Sequence, residues 1–172
     1  MRKFIGISLL LWLFSLTAVA ADFPKAEVFG GYQYTRFEGG VNANGWNAAL
    51  TGNLNHWFGV TADFSGAYKS ENGVDFRNYT YTFGPVVSIR QSGSFTPFAH
   101  ALFGGFHASA TFGGFSGSVN GFASFIGGGV DIKVTPHVAL RAVQADWLSA
   151  HAEGATSKRN ARISTGLVLR FQ

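Results

Sequence analysis

Residues 46–55 alternate without a break. Trp46, Ala48, Leu50, Gly52 and Leu54 take one phase, and Asn47, Ala49, Thr51, Asn53 and Asn55 the other. The next run repeats this, with Phe58, Val60, Ala62, Phe64, Gly66 and Tyr68 against Gly59, Thr61, Asp63, Ser65 and Ala67. Tyr79, Tyr81, Phe83, Val87 and Ile89 alternate with Asn78, Thr80, Thr82, Gly84, Ser88 and Arg90. At the end of the chain Ile163, Thr165, Leu167, Leu169 and Phe171 alternate with Arg162, Ser164, Gly166, Val168 and Arg170. A period of two sends successive side chains to opposite faces, so each run predicts a β-strand with one apolar face. Four weaker runs complete the set. Residues 27–36 carry Val28, Gly30, Tyr32 and Tyr34 on one face, while 98–110 have Phe on both faces and an open phase. Residues 122–134 set Ile126, Val130, Ile132 and Val134 against Asp131 and Lys133. Within 138–149, Arg141 falls out of register with Gln144 and Asp146, which predicts a bulge between them.

Eight strands result, each near the about 9–11 residues that a tilted strand needs to cross a bilayer. Residues 55–57, 91–95 and 135–137 read as short turns, and 37–44, 69–75, 111–121 and 151–160 as longer polar or Gly-rich loops. Short turns at one end and longer loops at the other form the layout of an outer-membrane barrel. An even strand number returns both chain ends to the short-turn, periplasmic side. The expected fold is all-β: an eight-stranded antiparallel up-and-down transmembrane barrel over 21–172. Residues 1–20 read as a secretory leader for the Sec route. Met1-Arg2-Lys3 is its basic start, Phe4 to Leu16 its apolar run, and Thr17-Ala18-Val19-Ala20 its small-residue cleavage site.

Composition narrows the class. Charged residues are 13% of the 172, against roughly 25% in ordinary soluble domains. Without Arg2 and Lys3 the formal charge of +4 falls by two, which leaves no nucleic-acid footprint. The absence of Cys excludes a disulfide scaffold and a thiolate metal site.

The polar phase is mostly Asn, Thr, Ser, Gly and Ala. It suits a narrow interior filled by side chains, not a water-facing surface dense in charge. The expected lumen charges are Glu27, Asp63, Asp131 and Asp146, with Arg90, Lys133, Arg141, Arg162 and Arg170. An ion out of water costs several kcal/mol unless paired, so pairing or hydration is expected. Arg141 with Asp146 is one candidate pair, for packing or for gating. The apolar phase is almost free of charge, as lipid demands. Its aromatics gather where interfacial girdles belong: Tyr32, Tyr34, Trp46, Tyr68, Tyr79, Tyr81 and Trp147 toward the long-loop end, Trp57, Phe58, Phe98 and Phe171 toward the short-turn end.

On these residues the chain resembles the outer-membrane β-barrel domain family, the small OmpA-like, OmpX/Ail and opacity-type barrels. The segments most similar to it are Val28-Phe29-Gly30-Gly31-Tyr32-Gln33-Tyr34, Thr61-Ala62-Asp63-Phe64-Ser65-Gly66, Thr96-Pro97-Phe98-Ala99-His100-Ala101 and Gly166-Leu167-Val168-Leu169-Arg170-Phe171. The resemblance implies insertion by the outer-membrane assembly machinery and usually no enzyme activity. Family members commonly end on an aromatic residue that this machinery reads. Here Phe171 is the candidate, displaced one residue from the end by Gln172.

Candidate chemistry is sparse. His56, His137 and His151 fall in turns or loops, and His100 and His107 have opposite parity on one strand. No pair has metal-ligand spacing. A Ser-His-Asp set drawn from His100 or His107 with Asp63 or Asp146 lacks any local signature. Gly127-Gly128-Gly129 leads into a strand, so it is no phosphate loop. The expectation is a monomeric, non-enzymatic protein of the bacterial outer membrane, without cofactor or metal, surrounded by lipid. It serves structure or surface contact through its loops, with an unidentified surface partner. Three other readings stay open: a narrow channel for small polar solutes, a soluble lipocalin-like binder with Leu50, Leu54, Val60 and Phe64 turned inward, and a membrane-barrel enzyme acting on lipid acyl chains.

Overall fold

Each strand carries a row of N–H and C=O groups along both sides, and in hydrocarbon these must find protein partners. Closure supplies them. The computed structural model describes residues 23–172 apart from 72, 91, 92 and 153, so the expected leader lies outside the described residues. Its strands are β1 (Ala26–Arg36), β2 (Asn42–Asn53), β3 (Phe58–Glu71), β4 (Val74–Ser88), β5 (Phe95–Phe112), β6 (Phe115–Lys133), β7 (Val138–Ala152) and β8 (Ala155–Phe171). Each pairs antiparallel with the next, and β8 pairs back with β1 to close the barrel. That seam runs from Ala26 opposite Phe171 to Arg36 opposite Ala161. Ala26 and Phe171 therefore share one rim, here called the terminal rim. The opposite rim carries the β1–β2, β3–β4, β5–β6 and β7–β8 turns and is called the hairpin rim.

The two phases sort by face. Leu50, Val60, Phe64 and Leu167 stand exposed on the outside, while Asn47, Thr61, Asp63, Ser65 and Thr82 are buried inside. This inverts the arrangement of a soluble barrel. The open phase of β5 is settled: Phe98, His100, Leu102 and Phe106 are buried, and Phe103 is exposed. The register shifts between Arg141 and Gln144, where a bulge was expected.

The expected long loops are corrected. Strand pairing runs through most of 69–75, 111–121 and 151–160. β5 and β6 stay paired out to Phe112 opposite Phe115. Gly113 and Gly114 make that turn with φ of 55° and 87°, the left-handed conformation a tight hairpin needs and glycine adopts without cost. The reason for the difference is physical. Alternation marks where one face meets lipid, but the hydrogen-bond ladder continues beyond lipid without an apolar face.

Candidate functional site

The inward side chains form a polar plug toward the terminal rim and an apolar layer toward the hairpin rim. Near the terminal rim, Glu27 accepts hydrogen bonds from Arg90 Nη2 at 2.9 Å, Arg170 Nε at 3.0 Å and Asn53 Nδ2 at 3.2 Å. Asp131 is held in bidentate fashion by Arg141, through Nε at 2.8 Å and Nη2 at 3.1 Å. Deeper in, Arg162 lies between two carboxylates. Its Nη1 reaches Asp63 Oδ1 at 2.7 Å, and its Nε reaches Asp146 Oδ2 at 2.8 Å. Asn47 Nδ2 donates to the second oxygen of Asp63 at 2.9 Å. His100 Nε2 meets Asp146 Oδ1 at 2.8 Å.

Four guanidiniums thus face four carboxylates, all largely removed from water. Bidentate and multiply bonded geometry is the condition under which buried ions recover their desolvation cost. Aromatic faces add to it. The Arg141 guanidinium lies 4.4 Å from the Phe29 ring centre and 4.2 Å from that of Phe98, and Arg162 lies 4.3 Å from that of Phe125. A cation over a ring face is attracted by the ring quadrupole, more so where water is excluded.

Arg141 and Asp146, expected as a direct pair, are joined through a third residue. Arg141 Nη1 donates to Gln144 Oε1 at 2.7 Å, and Gln144 Nε2 donates to Asp146 Oδ2 at 2.8 Å. The bulge separates the two charges along β7 and puts Gln144 between them. Another device works across strands. His100 is on β5 and Asp146 on β7, with Gly127 of β6 in register with both. A Cβ at Gly127 would collide with Asp146 Oδ1 and the Ala145 carbonyl. The missing side chain lets the histidine and the carboxylate meet over the intervening strand.

Outside, Trp46 Nε1–H donates to Tyr68 Oη at 3.0 Å, and Tyr68 and Tyr79 pack edge-on at 5.8 Å. Tyr32 donates to Asn44 Oδ1 at 2.5 Å. Gly66 lies beneath these rings, where an added Cβ would stand 2.7 Å from both Trp46 Nε1 and Tyr68 Oη. Tyr34, Trp57, Tyr81, Trp147 and Phe171 also stand exposed.

A family model described as "Outer membrane protein beta-barrel domain" matches residues 6–171. The chain belongs to that family. Its barrel is similar to Neisserial surface protein A: TM-score 0.70 at 15% identity, covering 85% of this chain and 96% of that one. The attachment invasion locus protein Ail of Yersinia pestis follows at TM-score 0.63 and 20% identity, covering 87% and 99%. The N-terminal β-barrel domain of Pseudomonas aeruginosa OprF gives TM-score 0.60 at 10% identity, covering 87% and 100%. No curated protein sequence matches the chain.

Within this outer-membrane barrel two expected positions change. Lys133 has the inward parity but is exposed. It stands at the terminal rim beside Arg90, Arg170 and Pro136, because β6 ends there and its ammonium reaches water. Phe98, expected among the lipid-facing aromatics, is inside under Arg141. The histidines do not converge. His107 Nδ1 pairs with Asn120 Oδ1, and His151 Nδ1 with Thr156 Oγ1. Among the described residues, no group of three His, Asp or Glu is placed to hold a metal ion. Sequence reasoning missed Gln144, Asn47 and the inward Phe29 and Phe125. The available signal was a phenylalanine in an otherwise polar phase next to a charge.

At the hairpin rim, the 37–41 turn folds onto β8. The Glu38 N–H donates to Asn160 Oδ1 at 2.8 Å, and Glu38 Oε2 accepts from Ser157 Oγ at 2.8 Å and from the Lys158 N–H at 3.2 Å. The Ser157 hydroxyl, helped by the backbone N–H groups, holds the Glu38 carboxyl below the usual carboxylate range. Phe37 packs edge-on to Phe76 at 5.5 Å and closes over the apolar layer of Leu102, Phe106, Phe125 and Leu148.

Proposed function

We propose that the chain is a non-enzymatic barrel of the bacterial outer membrane. It acts at the cell surface through its hairpin rim, with a lumen closed to solutes. The ion-paired plug across the terminal half of the lumen carries this reading. The cavity among Glu27, Asp63, Asp131 and Arg141 measures about 20 Å³, room for about one water. A solute path needs a continuous polar column, and the ion pairs interrupt it. The soluble-binder alternative requires Leu50, Leu54, Val60 and Phe64 inside, whereas all four are exposed outside. Lipid is the partner for that face, and the aromatic rows mark its two boundaries. Phe171 is the residue offered to the assembly machinery. The surface contact falls on the β5–β6 hairpin, paired out to its turn, whose Phe112 and Phe115 are exposed at its tip.

The experiment uses the absence of cysteine. Ser116→Cys should react with a membrane-impermeant maleimide on intact cells, and Thr135→Cys only after permeabilisation. Purified wild-type protein in planar bilayers should give no steady current. Steady conductance, or the reverse labelling pattern, would sink the reading.

A further inference from the structure

The apolar layer beneath Phe37 is not fully packed. A cavity of about 290 Å³ lies there, bounded by Phe37, Val41, Phe76, Phe106, Leu148 and Asn78. Its polar neighbours are already engaged. Thr80 Oγ1 pairs with Ser65 Oγ at 2.6 Å, and the Asn160 amide spans Leu148 O, Ser157 Oγ and the Glu38 N–H. Asn78 differs. It is only 6% exposed, and its Oδ1 has no hydrogen-bond partner. A buried water needs about two to four polar partners, and these neighbours have little left to offer one. An unmet amide oxygen in an apolar chamber is costly. A ligand that brings its own donor removes that cost.

We propose that this chamber binds a small uncharged amphiphile, an aromatic or short alkyl body with a hydroxyl head on Asn78. Three features set the chemistry. The walls are aromatic and aliphatic, which suits an apolar body. The head must donate to Oδ1, and a hydroxyl satisfies the amide in either of its two orientations because it both donates and accepts. Anions are excluded: a carboxylate is expensive to bury and meets the ionised Glu38 at the chamber edge. Scaled from benzene in a 150 Å³ cavity, the volume takes a guest of roughly a dozen heavy atoms. The site is independent of the surface role proposed above.

The test uses protein recovered from outer membranes into phospholipid nanodiscs, with 2-phenylethanol, ethylbenzene and phenylacetate as probes. NMR would follow the Val41 and Leu148 methyls and the Asn78 side-chain amide. 2-Phenylethanol should shift them saturably. Ethylbenzene should bind about threefold to tenfold more weakly, the worth of one hydrogen bond to a buried acceptor, and phenylacetate more weakly still. Asn78→Ala should erase the preference for the alcohol. Ala108→Phe and Ala150→Phe, each filling the chamber, should abolish saturable shifts while heat-modifiable gel mobility reports an intact barrel. If Asn78→Ala does not fold, the wild-type comparison of alcohol with hydrocarbon decides the matter. Absence of saturable shifts, equal affinity for alcohol and hydrocarbon, or binding that survives both filling variants would overturn the proposal.

Discussion

Arg162 is 1% exposed, and the groups flanking it are the carboxylates of Asp63 and Asp146. Arg162→Leu would strand both. Removing one partner of a buried ion pair costs about 3–5 kcal/mol, so urea unfolding in liposomes should show a loss of that size. Gly127 tests a different term. Gly127→Ala places a methyl where Asp146 and the Ala145 carbonyl already are. Overpacking of this kind costs about 1–3 kcal/mol, and the His100 ring resonances should report loss of the bond to Asp146. Parity along the strands was enough to turn Glu27, Asp63, Asp131, Asp146 and the arginines inward. The pairing scheme was not legible, because who meets whom depends on the bulge, on barrel closure and on one absent side chain. Lys133 obeyed parity yet reached water, since parity gives direction but not depth.

Among the elements, the 37–41 turn is fastened to β8 through Glu38, its one charged residue. The ionised carboxylate is the form favoured in the folded protein. The fastening is therefore complete above the ordinary carboxylate range and weakens as pH falls through the lowered value. Protection of the Lys158 amide from hydrogen exchange, relative to its free-chain rate at the same pH, should fall with acidification in that window, and Glu38→Gln should lower it already at neutral pH. The strands themselves were legible where they face lipid, as at 46–55. Their outer ends were not. Residues 111–121 lack alternation, yet they pair in register to the Gly113 and Gly114 turn. Phe98 was misplaced for a related reason: a ring under a guanidinium looks, in one dimension, like a ring in lipid.

For the whole molecule, the low charge has two separate origins. Lipid excludes ions from the outer face, and a narrow interior admits only those that pair. A charge placed on that outer face should show this directly. Leu50 stands on the outer face between the levels of Trp46 and Trp57, so Leu50→Arg should destabilise the barrel by about 2–4 kcal/mol, measured by the same urea titration. The strand count and closure were legible from alternation and spacing, because both follow from the same requirement that no backbone group be left unpaired. The plug also bears on the order of events during folding. Arg162 and Asp63 are 99 residues apart, and Arg170 and Glu27 are 143 apart. Neither contact can form until the first and last strands have met, so both arrive after most of the chain-ordering entropy has been spent. Their stabilisation belongs to the unfolding barrier. Arg170→Leu, which removes the contact across the closing seam, should leave the folding rate nearly unchanged and speed unfolding on the order of 100-fold or more. The ionic interior would then act as a late lock that sets the lifetime of the closed barrel.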